Sequence, residues 1–232
     1  MKRLNILTEG QTEEKFAREI LAPHLALFGL DVSVRLLITG KTRQYQVGGM
    51  RQSKLHKGGL LNFAQVKQDL VRWRNQESGA FLTTMFDLYA LPDDFPEFTQ
   101  NITLEPIKRV QKLEQAFAKE VALQNFIPYI QLHEFEALLF VDVDILNEYV
   151  TMDFESPSKT LHSLQAVIQQ FENPELINDS PHTAPSKRLE SIFGKQFNKV
   201  EHGFVVASEI GLEKIRAKCP HFNEWVTKLE NI

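Results

Sequence analysis

The chain has 232 residues, of which 43% are hydrophobic and 24% are charged, and its formal net charge at pH 7 is −4. This length fits one large domain, or one domain with a smaller part appended to it, and the composition is typical of a globular protein. The single cysteine, Cys219, excludes an intrachain disulfide framework and a cysteine zinc site. No apolar run approaches the roughly 18 residues of a membrane span, and the N-terminus lacks the apolar core of a signal peptide. We therefore expect a cytoplasmic protein without a membrane partner.

The first predicted element is a short apolar strand that ends at Glu9 and Gly10. A helix is predicted to follow at residues 12–28, with Thr12 as its N-cap. Ligands of open α/β sheets bind at the carboxyl ends of the strands. Two interpretations of Glu9 remain open at this stage: it caps the helix, or it holds a divalent cation.

The following segments alternate between strand and helix patterns. Strands are predicted at residues 31–39, 80–86 and 126–132, and helices at 62–76, 107–122 and from His133 onward. Strand 80–86 is apolar at nearly every position, which is typical of a central parallel strand. This alternation predicts an α/β fold with a parallel sheet of about four strands and helices on both faces.

The remainder of the chain is predicted to be mostly helical. Its predicted helices cover residues 161–171 and 186–193, begin again at 210, and end with 222–229. We therefore predict an α/β domain at residues 1–141 and a helical C-terminal extension at 142–232 that packs on it.

Three of the predicted strands end in an acid, namely Glu9, Asp87 and Glu134. Parallel strands share a direction, so these three carboxylates are expected at one edge of the sheet. Carboxylates gathered together repel one another unless a cation joins them. Oxygen ligands suit Mg²⁺ or Mn²⁺, so the pattern predicts a metal site.

Neighbouring residues extend this candidate site. Asp93 is a reserve metal ligand, and Glu136 ranks lower because a helix starting at His133 would point it elsewhere. His133 is predicted either to act as a general acid or base or contact phosphate, or to make a structural hydrogen bond at the strand end.

Basic residues are concentrated in one interval, because no acid occurs between Asp31 and Asp69. Residues 40–59 are predicted to form a long glycine-containing loop, which is uncommon in a compact domain unless it binds something; a disordered excursion is the alternative. Lys187 and Arg188 stand near a helix N-terminus where phosphate can bind. The alternative is that all these charges are merely solvated. The predicted nucleic-acid-binding residues are Arg43, Arg51, Lys54, Lys57, Lys187 and Arg188.

A strand followed by acid and glycine, with an aspartate after a later strand, resembles the TOPRIM fold of topoisomerases, primases and OLD-type nucleases. In that fold a glutamate and an Asp-x-Asp pair serve a Mg²⁺ site for phosphodiester chemistry. Glu9 matches the glutamate and Asp87 the first aspartate. Asp87-Leu88-Tyr89 stands where Asp-x-Asp is expected, so the second aspartate is absent.

A second resemblance covers nearly the whole chain. It is carried by Glu9-Gly10-Gln11-Thr12-Glu13, Pro92-Asp93-Asp94-Phe95-Pro96, His133-Glu134-Phe135-Glu136-Ala137-Leu138-Leu139-Phe140, Pro185-Ser186-Lys187-Arg188 and Ile210-Gly211-Leu212. These motifs resemble the bacterial family called domain of unknown function 4276, which is regarded as TOPRIM-like. The resemblance implies a setting beside ABC-type or AAA-type ATPases that is similar to phage defence.

Three functions are consistent with these features. The first is a Mg²⁺- or Mn²⁺-dependent nuclease that acts on nucleic acid, with DNA as the expected substrate. The second is a non-catalytic interaction subunit of an ATPase complex, which the missing second aspartate favours. The third is a phosphohydrolase of small nucleotides.

Overall fold

A computed structural model describes residues 1–37, 42–47, 50–55, 60, 62–152, 157–178 and 182–232. Within these ranges, residues 42–47, 50–55 and 157 are described by their backbone alone. The predicted α/β fold is confirmed: a parallel sheet carries helices on both faces, and a mostly helical part follows it.

The sheet has four strand positions in the order β2-β1-β5-β6, all parallel, and β7 also pairs with β5. Strand β5 is central and buried along almost its whole length, as its apolar sequence predicted. The strands are β1 (Lys2–Thr8), β2 (Leu30–Leu36), β3 (Thr42–Val47), β4 (Met50–Leu55), β5 (Phe81–Asp87), β6 (Phe126–Ile127) and β7 (Ile130–Gln131).

Ten α-helices lie within the described residues. They are α1 (Gln11–Phe16), α2 (Ala22–Ala26), α3 (Phe63–Gln76), α4 (Pro106–Val121), α5 (Val143–Val150), α6 (Pro157–Ile168), α7 (Pro185–Phe193), α8 (Lys199–Ile210), α9 (Leu212–Lys218) and α10 (Pro220–Glu230). Short 3₁₀ helices occur at Leu88–Ala90, Phe135–Val141, Pro174–Leu176 and Gly194–Gln196.

Two hydrophobic cores flank the sheet. On one face, Leu4, Ile6 and Met85 join a core made with α1 and the C-terminal helices. On the other face, Leu82 and Phe86 join a core made with α3 and α4. Alternate side chains of one strand point to opposite faces, so each central strand contributes to both cores. The helical C-terminal residues therefore share the first core with the sheet.

The first helix differs from its prediction in two ways. Residues 11–26 form α1, a π-helical turn at Ala17–Leu21, and α2. Pro23 follows the wide turn, and its ring and missing N–H disfavour regular α-helical bonding at this point. The predicted N-cap, Thr12, is wrong: Gly10 is the N-cap, and the Thr12 hydroxyl instead donates to the Lys199 carbonyl at 3.5 Å.

The predicted loop at residues 40–59 is also corrected, because it contains the antiparallel pair β3 and β4. The predicted fourth strand, 126–132, is split into β6 and β7 around Pro128 and Tyr129. Pro128 cannot donate a ladder hydrogen bond. The Thr84 hydroxyl bonds both the amide and the carbonyl of Tyr129, at 3.0 Å each, and so holds the interruption against β5.

The C-terminal part contains a helix that the sequence analysis missed, α8. Helix α7 was predicted from residue 186; its N-cap is Ala184, and the Ser186 amide donates to Glu134 Oε2. The α8–α9 junction is made by Gly211, whose φ of 82° favours glycine.

Among the described residues, no helix combines the length and apolar character required to cross a bilayer.

Candidate functional site

The carboxylates of Glu9 and Asp87 meet at the carboxyl edge of the sheet. Glu9 directly follows β1, and Asp87 is the last residue of the neighbouring strand β5. The Asp87 amide donates to Glu9 Oε2 at 3.2 Å. Glu9 therefore bonds the adjacent strand end rather than the N-terminal amides of α1, which decides against the capping interpretation.

Glu13 is a third acid at the same place, and only 3% of its surface is exposed. It stands three positions after the N-cap, Gly10, where a glutamate side chain can reach back to the cap amide. A Cβ atom on Gly10 would lie 2.3 Å from Glu13 Oε2. Any side chain at position 10 would therefore displace this carboxylate.

Glu136 is the fourth acid and is completely buried. It lies in the 3₁₀ helix Phe135–Val141, whose first amide, that of Phe135, donates to Asp87 Oδ1 at 2.9 Å. This bond fixes the 3₁₀ helix against the end of β5. The expectation that Glu136 points away from the site is therefore wrong, because the chain turns at His133 and Glu134 before the helix begins.

Lys199, the first residue of α8, supplies the positive charge of the site. Its Nζ lies 3.0 Å from Glu136 Oε2 and 3.7 Å from Asp87 Oδ2. The Glu136 contact is an ion pair without aligned hydrogen-bond geometry, since neither Glu136 oxygen has a hydrogen-bond partner among the described residues. Helix α8 approaches α1 closely because Gly203 has no side chain, and a Cβ there would lie 2.7 Å from Thr12 Cγ2.

We call Glu9, Glu13, Asp87 and Glu136 the acidic cluster. Burial, followed by repulsion from Glu13, raises the pKa of Glu9 to about 8. Burial raises the pKa of Glu136 to about 7, although Lys199 opposes the shift. Burial likewise raises the pKa of Glu13 and Asp87, again against the pull of Lys199.

The pKa of Lys199 is also raised, but neighbouring charges rather than burial raise it. Burial alone would lower its pKa, but Asp87, then Glu136 and Glu13, raise the pKa above that of an ordinary lysine. Its side chain keeps 42% of its accessible surface. The lysine is therefore charged and reaches the surface at the rim of the acidic cluster.

The acidic cluster supplies the hard carboxylate oxygens that Mg²⁺ and Mn²⁺ prefer. As the side chains stand, no group of three histidine, cysteine, aspartate or glutamate residues in the described part of the chain has metal-binding geometry. The type of donor is therefore that of a divalent-cation site, whereas the present arrangement of the side chains is not, and Lys199 provides charge compensation at the same place.

A family comparison covers almost the whole chain. The family model of "Domain of unknown function (DUF4276)" matches residues 8–230. The chain belongs to this family. No curated protein matched the chain.

Solved structures similar to this DUF4276 protein include two regions of OLD proteins. The C-terminal region of the Burkholderia pseudomallei OLD protein is 14% identical, with a TM-score of 0.43 and coverage of 99% of both chains. The C-terminal region of the Xanthomonas campestris pv. campestris OLD protein is 15% identical, with a TM-score of 0.41, and the match covers 100% of this chain and 99% of that one.

Two predicted ligands, Glu134 and Asp93, are not among the four residues of the acidic cluster, although Glu134 lies beside it. Glu134 Oε2 accepts a hydrogen bond from the Ser186 amide at 2.9 Å, and its charge contributes to the raised pKa of Glu13. Asp93 is exposed, whereas its neighbour Asp94 caps α3 by accepting from the Phe63 amide at 2.9 Å. Their assignment as metal ligands stays a prediction.

His133 packs beside Tyr89, and its charge state is affected by Arg109 of α4. Its ring lies 5.5 Å from that of Tyr89, and burial, followed by the charge of Arg109, lowers the pKa of His133 to about 4. Neither ring nitrogen has a hydrogen-bond partner among the described residues. Its φ of 64° is unusual for a residue with a Cβ atom. The structural hydrogen bond considered for this side chain is therefore absent from the described contacts.

The predicted nucleic-acid-binding residues fall in two regions. Arg43 and Lys54 are backbone partners across β3 and β4, but their side chains, and that of Arg51, lie outside the described part of the structure, as does all of Lys57. Lys187 pairs with Glu190 at 2.7 Å, and Arg188 Nε donates to the Thr183 carbonyl at 2.8 Å.

The sequence analysis did not include two members of the candidate site, Glu13 and Lys199. Glu13 carried a signal, because it lies four residues after Glu9 in a motif already noted, and that spacing can return a helical side chain to a strand end. Lys199 carried none, because α8 was not predicted and nothing local connects residue 199 with the first strand.

Proposed function

We propose that this protein is a Mg²⁺- or Mn²⁺-dependent nuclease that hydrolyses phosphodiester bonds, with DNA as its expected substrate. One observation carries the proposal. Four carboxylates from three separate segments of the chain converge at the carboxyl edge of a parallel sheet, three of them buried and Glu9 partly so. Within the described part of the chain, Lys199 is the lysine that contacts them. The carboxyl edge is the one at which α/β sheets bind ligands.

The energetics favour a cation at this position. Four carboxylates withdrawn from water beside one ammonium cannot all be ionised without strong repulsion, and burial already raises the pKa of Glu9 to about 8 and that of Glu136 to about 7. A divalent ion would replace these protons. Glu9, Glu13 and Asp87 would hold it, and Glu136 would remain paired with Lys199.

The chemistry then divides between the ion and the chain. A bound Mg²⁺ or Mn²⁺ supplies a Lewis acid that polarises a phosphoryl oxygen and lowers the pKa of a bound water. Glu9 and Asp87 keep a fixed relative position because the Asp87 amide bonds the Glu9 carboxylate. Lys199, partly exposed and charged, is placed to meet a phosphate oxygen at the rim.

A second candidate function is a non-catalytic subunit of a complex with an ABC-type or AAA-type ATPase. Tyr89 favours it, because this residue stands where the TOPRIM pattern has its second aspartate. The neighbouring acids Glu9 and Asp87 argue against it, because burying more carboxylates than the nearby Lys199 can compensate is costly and serves no purpose in a surface that only docks a partner. A partner ATPase and a role in phage defence are compatible with either function.

Cleavage of supercoiled plasmid DNA with Mn²⁺ tests the proposal. The wild type is expected to nick the plasmid, and Glu19→Gln is expected to nick it at the same rate. The nicking rate of Glu9→Gln is expected to be at least about a hundredfold lower, as for the loss of a group that holds the catalytic charge. Glu19 is the matched control because it is an exposed glutamate in the π-helical turn that continues α1. Equal nicking by the wild type and Glu9→Gln would end the nuclease proposal. Hydrolysis of mononucleotides with no cleavage of DNA would replace it with a small-nucleotide phosphohydrolase.

A further inference from the structure

A groove runs between α6 and α7 and has a volume of about 680 Å³. This is in the range of pockets that hold a ligand rather than a single water. Its floor is partly apolar, and its walls carry hydroxyl and cationic groups. The polar residues of its lining that matter here are Lys159, Ser163, Lys187, Arg188 and Ser191.

The charge of this groove differs from that of the whole protein. Its lining includes three cations, Lys159, Lys187 and Arg188, and no carboxylate among the described residues, although Glu190, outside that lining, pairs with Lys187 at 2.7 Å. The chain as a whole carries a net charge of −4. Arg188 is fixed on the wall, because its Nε donates to a carbonyl and its guanidinium lies 5.3 Å from the Phe171 ring centroid. A concave cationic surface on an acidic protein concentrates polyanions.

The groove begins beside the acidic cluster. Helix α7 is tied to the strand end by the hydrogen bond from the Ser186 amide to Glu134. The next residue, Lys187, has a raised pKa because of Glu190 first, and Glu134 adds to the shift while Lys199 opposes it. The charge of Lys187 therefore interacts with those of Glu134 and Lys199, and the Ser186–Glu134 hydrogen bond places the start of α7 beside the sheet edge.

We propose that the α6–α7 groove binds the sugar–phosphate backbone of a single nucleic-acid strand that leads away from the acidic cluster. This inference rests on the proposed nuclease function and adds the form of the substrate. Lys159 and Lys187 contact phosphates, and Ser163 and Ser191 contact phosphate or sugar oxygens. Such contacts do not read sequence. We expect a recess of about 680 Å³ between two helices to admit one strand, and a duplex to contact only its rims.

Binding of a fluorescein-labelled single-stranded DNA of about 20 nucleotides, followed by anisotropy with Ca²⁺ in place of Mn²⁺, tests the proposal without turnover. Lys159→Glu is expected to weaken binding about tenfold and to reduce the slope of log affinity against log salt concentration by about 0.7, the value for one lost single-strand phosphate contact. Lys112→Glu is the matched control, because Lys112 is an exposed lysine of α4, which packs on the opposite core. Both variants must retain the wild-type unfolding temperature.

The outcomes separate this proposal from the nuclease proposal. If Lys159→Glu and Lys112→Glu bind single-stranded DNA equally, the groove assignment is overturned, even if the wild type cleaves DNA. If Lys159→Glu alone loses affinity while no preparation cleaves DNA, the groove assignment holds and the nuclease proposal fails. If Lys159→Glu loses as much affinity for blunt duplex DNA of the same length as it loses for single-stranded DNA, the single-strand assignment is overturned.

Discussion

The ammonium group of Lys199 lies 3.0 Å from the carboxylate of Glu136, a residue with no accessible surface. The two residues are distant in the sequence and come from α8 and from the 3₁₀ helix after β7. Without this contact, Glu136 would be a buried carboxylate with no cation beside it. The pair therefore links the C-terminal helices to the sheet edge through charge as well as through the shared core.

Replacing Lys199 by methionine should destabilise the protein at neutral pH. The change leaves the acidic cluster without its cation, and we expect the free energy of unfolding to fall by about 2 kcal/mol. Breaking a fully buried ion pair would cost more than this, but solvent screens the partly exposed lysine and reduces the cost. Urea unfolding at neutral pH without divalent ions measures this loss. Addition of Mn²⁺ should recover stability in Lys199→Met more than in the wild type, and an equal effect of Mn²⁺ on both would contradict the charge argument.

The stability of the protein without divalent ions should fall as pH rises from the acidic to the mildly alkaline range. The pKa of Glu9 is about 8 in the folded state, against 4.5 for a glutamate of the unfolded chain, so the folded protein binds more protons between these values. Its contribution is present at low pH and is lost as pH rises through the folded-state pKa. Thermal unfolding across this range should show a shallower decline for Glu9→Gln than for the wild type. Parallel profiles would mean that Glu9 is not held protonated.

A methyl group on Gly203 should force α1 and α8 apart. Its Cβ would lie 2.7 Å from Thr12 Cγ2, and overpacking of this kind costs about 1–3 kcal/mol. Chemical unfolding of Gly203→Ala measures the cost. Thr12→Ser removes the opposing methyl group, so the double variant should be more stable than the sum of the single changes predicts. Simple additivity would show that the two residues do not constrain each other.

His133 should make a contribution to stability that is lost on acidification. Its pKa is about 4 in the folded state, against 6.5 for a histidine of the unfolded chain, so the unfolded chain binds more protons between these values. This pH dependence of stability is opposite in sign to that of the acidic cluster. Comparison of the wild type with His133→Asn isolates it, because asparagine tolerates a positive φ. The stability difference between wild type and variant should fall by about 2 kcal/mol between neutral pH and about pH 4. A constant difference would contradict the buried neutral imidazole.

The order of strands and helices in the α/β part of the chain followed from sequence pattern, because hydrophobic periodicity reports directly on which side chains are buried. The apolar run before Asp87 predicted a central strand, and that strand is β5. Local chemistry was less reliable. Thr12 and Ser186 have the side chains of N-caps, yet tertiary contacts give the caps to Gly10 and Ala184.

The sequence by itself determined that Glu9 and Asp87 meet, because parallel strands place their carboxyl ends at one edge. Only the tertiary structure decided the remaining members of the site. Glu136 rather than Glu134 joins the acidic cluster, since the chain turns at His133 with a φ of 64° before its 3₁₀ helix begins. Lys199 arrives from α8, which is placed by packing against α1 at Gly203. Such pairings depend on contacts between distant segments, and no periodicity within a single segment records them.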